Sequence, residues 1–251
     1  MGVGLVDFSF LYAYILIAIA LFYSYYKNLG IEKTIAINSI VALVQLTALG
    51  FILGFALTTK TLWHIILIAS FMLIYAAYIA NKRTKLKPFG FIASLLTLTL
   101  SSATIVGVLS IFGVIKINSN QLIPLFGMAL GNSLNVFAQF IERLKSDVKL
   151  SIDTIEGKMA LGADMENALS ENIKRSTKAS LLPTINQLET VGIIHIPGIT
   201  VGMLLAGASP LHAVSFQLVI MFMMVAIALF TAIFSSIFCL DKILGSINEK
   251  H

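Results

Sequence analysis

Glu189 stands in the apolar run LLPTINQLETVGIIHIPG, Leu181 to Gly198. A carboxylate inside a membrane-length segment carries a penalty of about 2.5–3.5 kcal/mol on insertion scales, avoided by protonation, a polar partner or a hydrated cavity. In a hydrated cavity it is a hard oxygen ligand suited to a divalent cation. With a polar partner it is an interhelical hydrogen bond instead. His195 follows six residues later, and in a straight helix six residues turn about 600°, which leaves the two about 120° apart. They do not share a face, so His195 reads as a core or interface histidine, with a place on a substrate path as its alternative. Asn132 and Asn135 lie three apart on one helical face, and Asn186 opens the stretch that holds Glu189. Such amides line a water-filled route or tie helices together. Met221, Met223 and Met224 offer soft thioethers, but core packing is the better reading of them. Asn38 and Gln45 are minor candidates.

These side chains need membrane helices to position them. Of the 251 residues, 58% are hydrophobic and 12% charged, against about 45–50% and about 25% in soluble domains. Crossing the hydrocarbon takes about 20 apolar residues, and seven stretches qualify: 7–27, 34–58, 62–80, 89–113, 121–143, 180–206 and 211–239. Residues 1–27 are apolar for too long, and lack the basic start, of a cleaved signal peptide. Fifteen of the 17 Lys and Arg residues fall on alternate connections, leaving only Lys60 and Lys116 on the other side. The positive-inside bias then puts the N-terminus outside and the C-terminus in the cytoplasm. The expected fold is all-α: one polytopic membrane domain over residues 1–251. The basic surplus is an orientation signal, spread over short loops without a nucleic-acid reading module. The single cysteine, Cys239, excludes an internal disulfide and a cysteine metal cluster.

One long polar segment, 146–178, interrupts the apolar pattern on the cytoplasmic side. Ile152, Ile155 and Met159 have the spacing of one helical face, and Gly162 ends that helix. Asp164 can cap a second helix carrying Met165, Ala168, Leu169 and Ile173. The segment thus reads as two short amphipathic helices bent at Leu161-Gly162-Ala163, returning to the membrane at Pro183. Its bland reading is a solvated loop with incidental helices.

Glu156, Gly162 six residues on, Ile173 and Leu182-Pro183 give a spacing that resembles the cytoplasmic loop of ABC transporter permeases. In that resemblance Glu156, Leu161, Gly162 and Ala163 form the tip that enters a cleft on a cytoplasmic ATPase. Gly157-Lys158 departs from the paired alanines of that signature. Further blocks occur in order: Gly127-Met128-x-Leu130-Gly131-Asn132-x-x-Asn135, Arg143-Leu144, Leu161-Gly162-Ala163, Pro183-x-Ile185-Asn186, Val191-Gly192-Ile193, Pro197-Gly198, Ala206-Gly207-x-x-Pro210 and Gln217-x-x-Ile220-Met221-Phe222-Met223. Together they resemble the FetB family of iron-export ABC permeases, related to plant aluminium-tolerance permeases. The resemblance covers about 124–224, and the N-terminal half is similar only in hydropathy and length. It departs at Ile199-Thr200-Val201-Gly202-Met203, where the family resembles Met-Met-Thr-Gly-Gln, so Met203 is a candidate for altered specificity.

The resemblance implies a permease subunit in the plasma membrane and not an enzyme in itself. It implies a homodimer working with a separate ATPase subunit that holds ATP and Mg, metal export with iron as cargo, and no cofactor in this chain; the metal ligands stay unassigned. No GxxxxGK[ST], HExxH or GxSxG occurs, so neither a P-loop nor a visible hydrolase centre is present. The rival reading is a self-contained secondary transporter with Glu189 as its proton-coupling carboxylate. Inverted repeats would favour that rival, and none is evident.

Overall fold

The computed structural model describes residues 10–56, 62–86, 89–115 and 118–248. The beginning of the first expected span, the end of the second, and Lys60, Lys87, Lys116 and Lys250 lie outside them, as does the side chain of Lys242. The described residues are helical almost throughout and divide into two units, 1–59 and 60–251.

The first unit is a helical hairpin of α1 (Phe10–Tyr26) and α2 (Glu32–Ala56). Asn28 and Gly30 turn the chain at φ 53° and 71°. Two side chains then close the pair: Ser24 Oγ donates to Glu32 Oε1 at 2.7 Å, and Tyr14 donates its hydroxyl to the Ser39 carbonyl at 3.1 Å. Ile37, Ile40, Val44 and Leu46 point outward, the distribution expected of a helix whose solvent is lipid.

The second unit holds α3 (Leu62–Thr84), α4 (Gly90–Ile111), α5 (Ser119–Leu150), α6 (Ile152–Ala160), α7 (Met165–Thr190), α8 (Gly198–Leu205) and α9 (Pro210–Asn248). α5 is its axis, packed against α3, α4, α7 and α9, while α4 also lies against α9. Small residues make this close packing possible. The buried face of α4 is Gly90, Ala93, Ser94, Thr97, Leu98, Ser101, Ser102 and Val106. α7 buries Asn172, Ser176, Ser180 and Thr184 at four-residue intervals. Large side chains, Phe137, Phe140, Ile141 and Leu144 of α5 among them, fill the spaces those faces leave.

Among the described residues, four helices are long and apolar enough to cross a membrane: Glu32–Phe51, Trp63–Thr84, Gly90–Ile111 and Pro210–Leu240. The chain is therefore a multi-pass, all-α membrane protein. α1 is apolar but shorter. α5 and α7, at 32 and 26 residues, have the length but carry polar faces.

The expected helix over 180–206 is not one helix. α7 starts at Asp164, whose carboxylate accepts from Asn167 N at 2.8 Å, and continues through Pro183 to Thr190. The second amphipathic helix of the polar segment and the start of the next apolar stretch are thus one rod of about 39 Å. At its end Gly192, φ 89°, reverses the chain. Gly192 N donates to the His195 carbonyl at 2.9 Å, and only then does the eight-residue α8 begin. Seven residues outside any helix, 191–197, separate the two.

Candidate substrate path and cytoplasmic loop

Within the polar segment one helix ends at Ala160 and the next begins after Asp164, but the second is not short and runs on through Pro183. Ile155 is buried, and Ile152, Met165, Ala168, Leu169 and Ile173 join the same core as Val148 and Ile243. Between α6 and α7 the chain makes a Schellman turn: Gly162 N donates to Met159 O at 2.9 Å and Ala163 N to Lys158 O at 3.1 Å. That turn places its glycine at positive φ, here 96°. A brace holds the base of the segment. Asn172 Nδ2 of α7 donates to Ser151 Oγ at 2.9 Å, and Ser151 Oγ to the Asp147 carbonyl at 2.7 Å. At the tip, Leu161 is 91% exposed, while Glu156 and Gly162 are also exposed and Ala163 is half-buried.

Lys145 adds a second brace at this level. Its ammonium donates to the Thr84 carbonyl at 2.9 Å and to the Lys85 carbonyl at 3.4 Å, capping the end of α3 from α5. A cation at a helix C-terminus satisfies carbonyls left without a helical partner and complements the helix dipole.

The candidate path residues separate. Asn132 is half-buried, donating from Nδ2 to the Met224 carbonyl at 2.8 Å and accepting from Thr184 Oγ1 at 3.4 Å. It ties α5, α9 and α7 together. Asn135, one turn on, is exposed and accepts from Arg83 Nη1 at 3.2 Å. Asn186 and Glu189 are exposed on the last turns of α7. His195 is exposed too, but in the 191–197 reversal, so the straight-helix geometry relating it to Glu189 does not hold. Met203 is half-buried in α8, whereas Met221 and Met223 are buried in the packing of α9. Thr200, in the segment that departs from the family pattern, donates to Gln217 Oε1 at 3.4 Å and so pins α8 to α9. Among the described residues no group of three or more His, Cys, Asp or Glu side chains gathers as a metal site.

Sequence reasoning missed a buried hydroxyl chain. Ser133 Oγ lies 2.8 Å from Ser101 Oγ and 2.9 Å from Thr231 Oγ1, joining α4, α5 and α9 at their common centre. Ser94, Thr97 and Ser101 at intervals of three and four were the available signal: a polar stripe in a helix that otherwise reads as uniformly apolar.

These features define a polytopic helical membrane protein with a braced polar loop and polar helix faces, a class that includes membrane permeases. Residues 8–244 match the Uncharacterised protein family (UPF0014), and the chain belongs to that family. It is 33% identical over 228 residues to Protein ALUMINUM SENSITIVE 3 of Arabidopsis thaliana, covering 90% of this chain and 83% of that protein. It is 30% identical over 223 residues to the UPF0014 membrane protein STAR2 of Oryza sativa subsp. japonica, covering 89% and 78%. With the Probable iron export permease protein FetB of Escherichia coli (strain K12) it shares 30% over 216 residues, 86% of this chain and 83% of that one. No solved structure matches. The chain is a membrane permease component, a transport protein rather than an enzyme.

Proposed function

We propose that this chain is the membrane subunit of an ABC transporter of the plasma membrane, exporting a metal ion, iron, with a separate cytoplasmic ATPase. The observation that carries the reading is the Leu161-Gly162 tip on its braced base. The printed name of the Escherichia coli relative supports the cargo and its direction. In this reading the chain crosses seven times, counting α1, α5 and the α7–α8 pair, with its N-terminus outside and residues 146–178 in the cytoplasm. The 15 basic residues on alternate connections support that orientation.

ATP and Mg act on the partner chain. Closure of two ATPases would draw the two tips together, and α5 and α7, joined at both ends of the loop, would carry that motion into the membrane. Glu189 then gains or loses access to one side, which is alternating access.

The test is co-expression with a stand-alone ABC ATPase encoded beside this chain. The pair should co-purify, and in proteoliposomes iron should stimulate ATP hydrolysis and move across the bilayer with ATP. Iron transport by the chain alone, driven by a proton gradient, would replace this reading with the secondary-transporter one.

A further inference from the structure

Beside the turn of the α1–α2 hairpin lies an open groove of about 480 Å³, lined by Leu21, Phe22 and Tyr25 of α1 and Glu32, Lys33 and Ala36 of α2. Its lining is sorted along the helices. Glu32 and Lys33 open α2 next to the Asn28–Gly30 turn, and Tyr25 stands at the matching end of α1. Leu21 and Ala36 lie one helical turn, about 5 Å, further from that end. The groove therefore has a charged mouth and an apolar far end. α2 is of membrane length, and Phe22 and Tyr25 are exposed, so the groove opens to lipid. Tyr23, Tyr25 and Tyr26, all exposed, gather at the mouth end, the aromatic belt that marks the level of the headgroups.

The two charges at the mouth are not paired with each other. Glu32 Oε1 accepts from Ser24 Oγ at 2.7 Å, and a carboxylate has about four acceptor sites, so it can take a further donor. Among the described residues the ion pairs are Arg143–Asp147 and Arg175–Glu171, and Lys33 belongs to neither. Lys27 is placed differently. Its ammonium stands over the rings of Tyr23 and Tyr26, 6.0 and 5.7 Å from their centroids. Tyr23 lies about 200° around α1 from Tyr25, so Lys27 is held on the side away from the groove.

We propose that this groove binds one zwitterionic phospholipid with a primary ammonium, phosphatidylethanolamine. A cation and an anion side by side complement a headgroup that carries both charges. Lys33 donates to the phosphate, and the lipid ammonium donates to Glu32. A quaternary ammonium has no N–H to give that carboxylate, and a glycerol headgroup brings no positive charge to it. The glycerol end of the lipid and the first methylenes of its chains rest on Leu21, Phe22 and Ala36. The lipid thus bridges α1 and α2 at the level where the Ser24–Glu32 bond already joins them. The inference needs only the multi-pass membrane architecture, and it holds whatever the cargo.

Native mass spectrometry tests this on the full chain, stripped of lipid in detergent and titrated with dioleoyl phosphatidylethanolamine, phosphatidylcholine or phosphatidylglycerol. One phosphatidylethanolamine should bind per chain, roughly tenfold more tightly than either other lipid, the worth of one hydrogen bond to a charged group. Lys33→Gln should weaken that binding by a similar factor, and because Lys33 is exposed its replacement reads binding and not folding. Glu32→Gln, whose side-chain oxygen can still accept from Ser24, should erase the preference over phosphatidylcholine. Ala36→Phe fills the groove with both charges in place and should also weaken binding. Lys27→Gln should leave it unchanged. Equal binding of the three lipids, tighter binding of phosphatidylglycerol, or equal losses from Lys27→Gln and Lys33→Gln would overturn the proposal and leave only an ordinary interfacial belt.

Discussion

Asn132 donates to the main-chain carbonyl of Met224 across 2.8 Å, linking residues 92 apart in sequence. The acceptor is a backbone oxygen already inside a helix, so the bond fixes the approach of α5 and α9 without depending on the Met224 side chain. Asn132→Leu should lower the melting temperature in detergent, by the equivalent of about 0.6–1.7 kcal/mol, the range for interhelical hydrogen bonds in membranes. Met224→Leu, which leaves the carbonyl in place, should not. Equal loss in both variants would mean that side-chain packing, not this bond, holds the helices.

Ser133 sits between two hydroxyls, so Ser133→Ala removes two contacts at once. Its cost should exceed that of Thr231→Ser, which keeps the hydroxyl, and Ser133→Leu should be worse, because the site is fully buried. Thermal denaturation of the three variants ranks them directly.

Gly162 separates backbone from bulk. A Cβ there meets nothing within 4 Å, yet φ is 96°, so a side chain costs conformational energy of roughly 1–2 kcal/mol rather than a clash. Gly162→Val should weaken ATPase co-purification with the permease still inserted, and Gly162→Asn should retain more of it. Leu161→Asp should weaken it more, by roughly 10- to 100-fold, if its side chain is buried on binding at about 1.5–3 kcal/mol. Normal ATP-driven transport by both Gly162→Val and Leu161→Asp would sink the docking role.

Lys82 and Ala160 are exposed, and the proposed orientation puts both on the cytoplasmic side. On the Cys239→Ala background, cysteines at 82 and 160 should label only after the membrane is opened. Labelling of both from outside reverses the topology.

Glu189→Gln keeps shape and hydrogen bonding while removing charge. It should fold, bind its ATPase and lose iron-stimulated ATP hydrolysis. Unchanged transport in that variant would move the path to Asn132, Asn135 and the methionines.

The coupling segment was the most legible part of the chain. Ile152, Ile155 and Met159, then Gly162 and Asp164, state a helix, its end and the next beginning in local chemistry, and those rules operate within a few residues. The path was less legible. Asn132 and Asn135 have one type and one spacing, yet one is bonded between helices and the other is exposed, a difference decided by α3, α7 and α9. Glu189 and His195 fell in one apolar run because hydropathy cannot distinguish a helix from a reversal at Gly192. Ser133 stayed hidden because a lone serine in an oily helix gains its meaning only from Ser101 and Thr231.

α9 runs unbroken through 39 residues, about 58 Å at 1.5 Å per residue, nearly twice the roughly 30 Å of hydrocarbon. Its far end is not idle: Ile243 is buried in the cluster that holds Ile155 and Leu169. The loop therefore rests on the same strut that bonds Asn132 and Ser133 of α5 through Met224 and Thr231. In the proposed mechanism, a push at Leu161 would reach those bonds through one continuous helix.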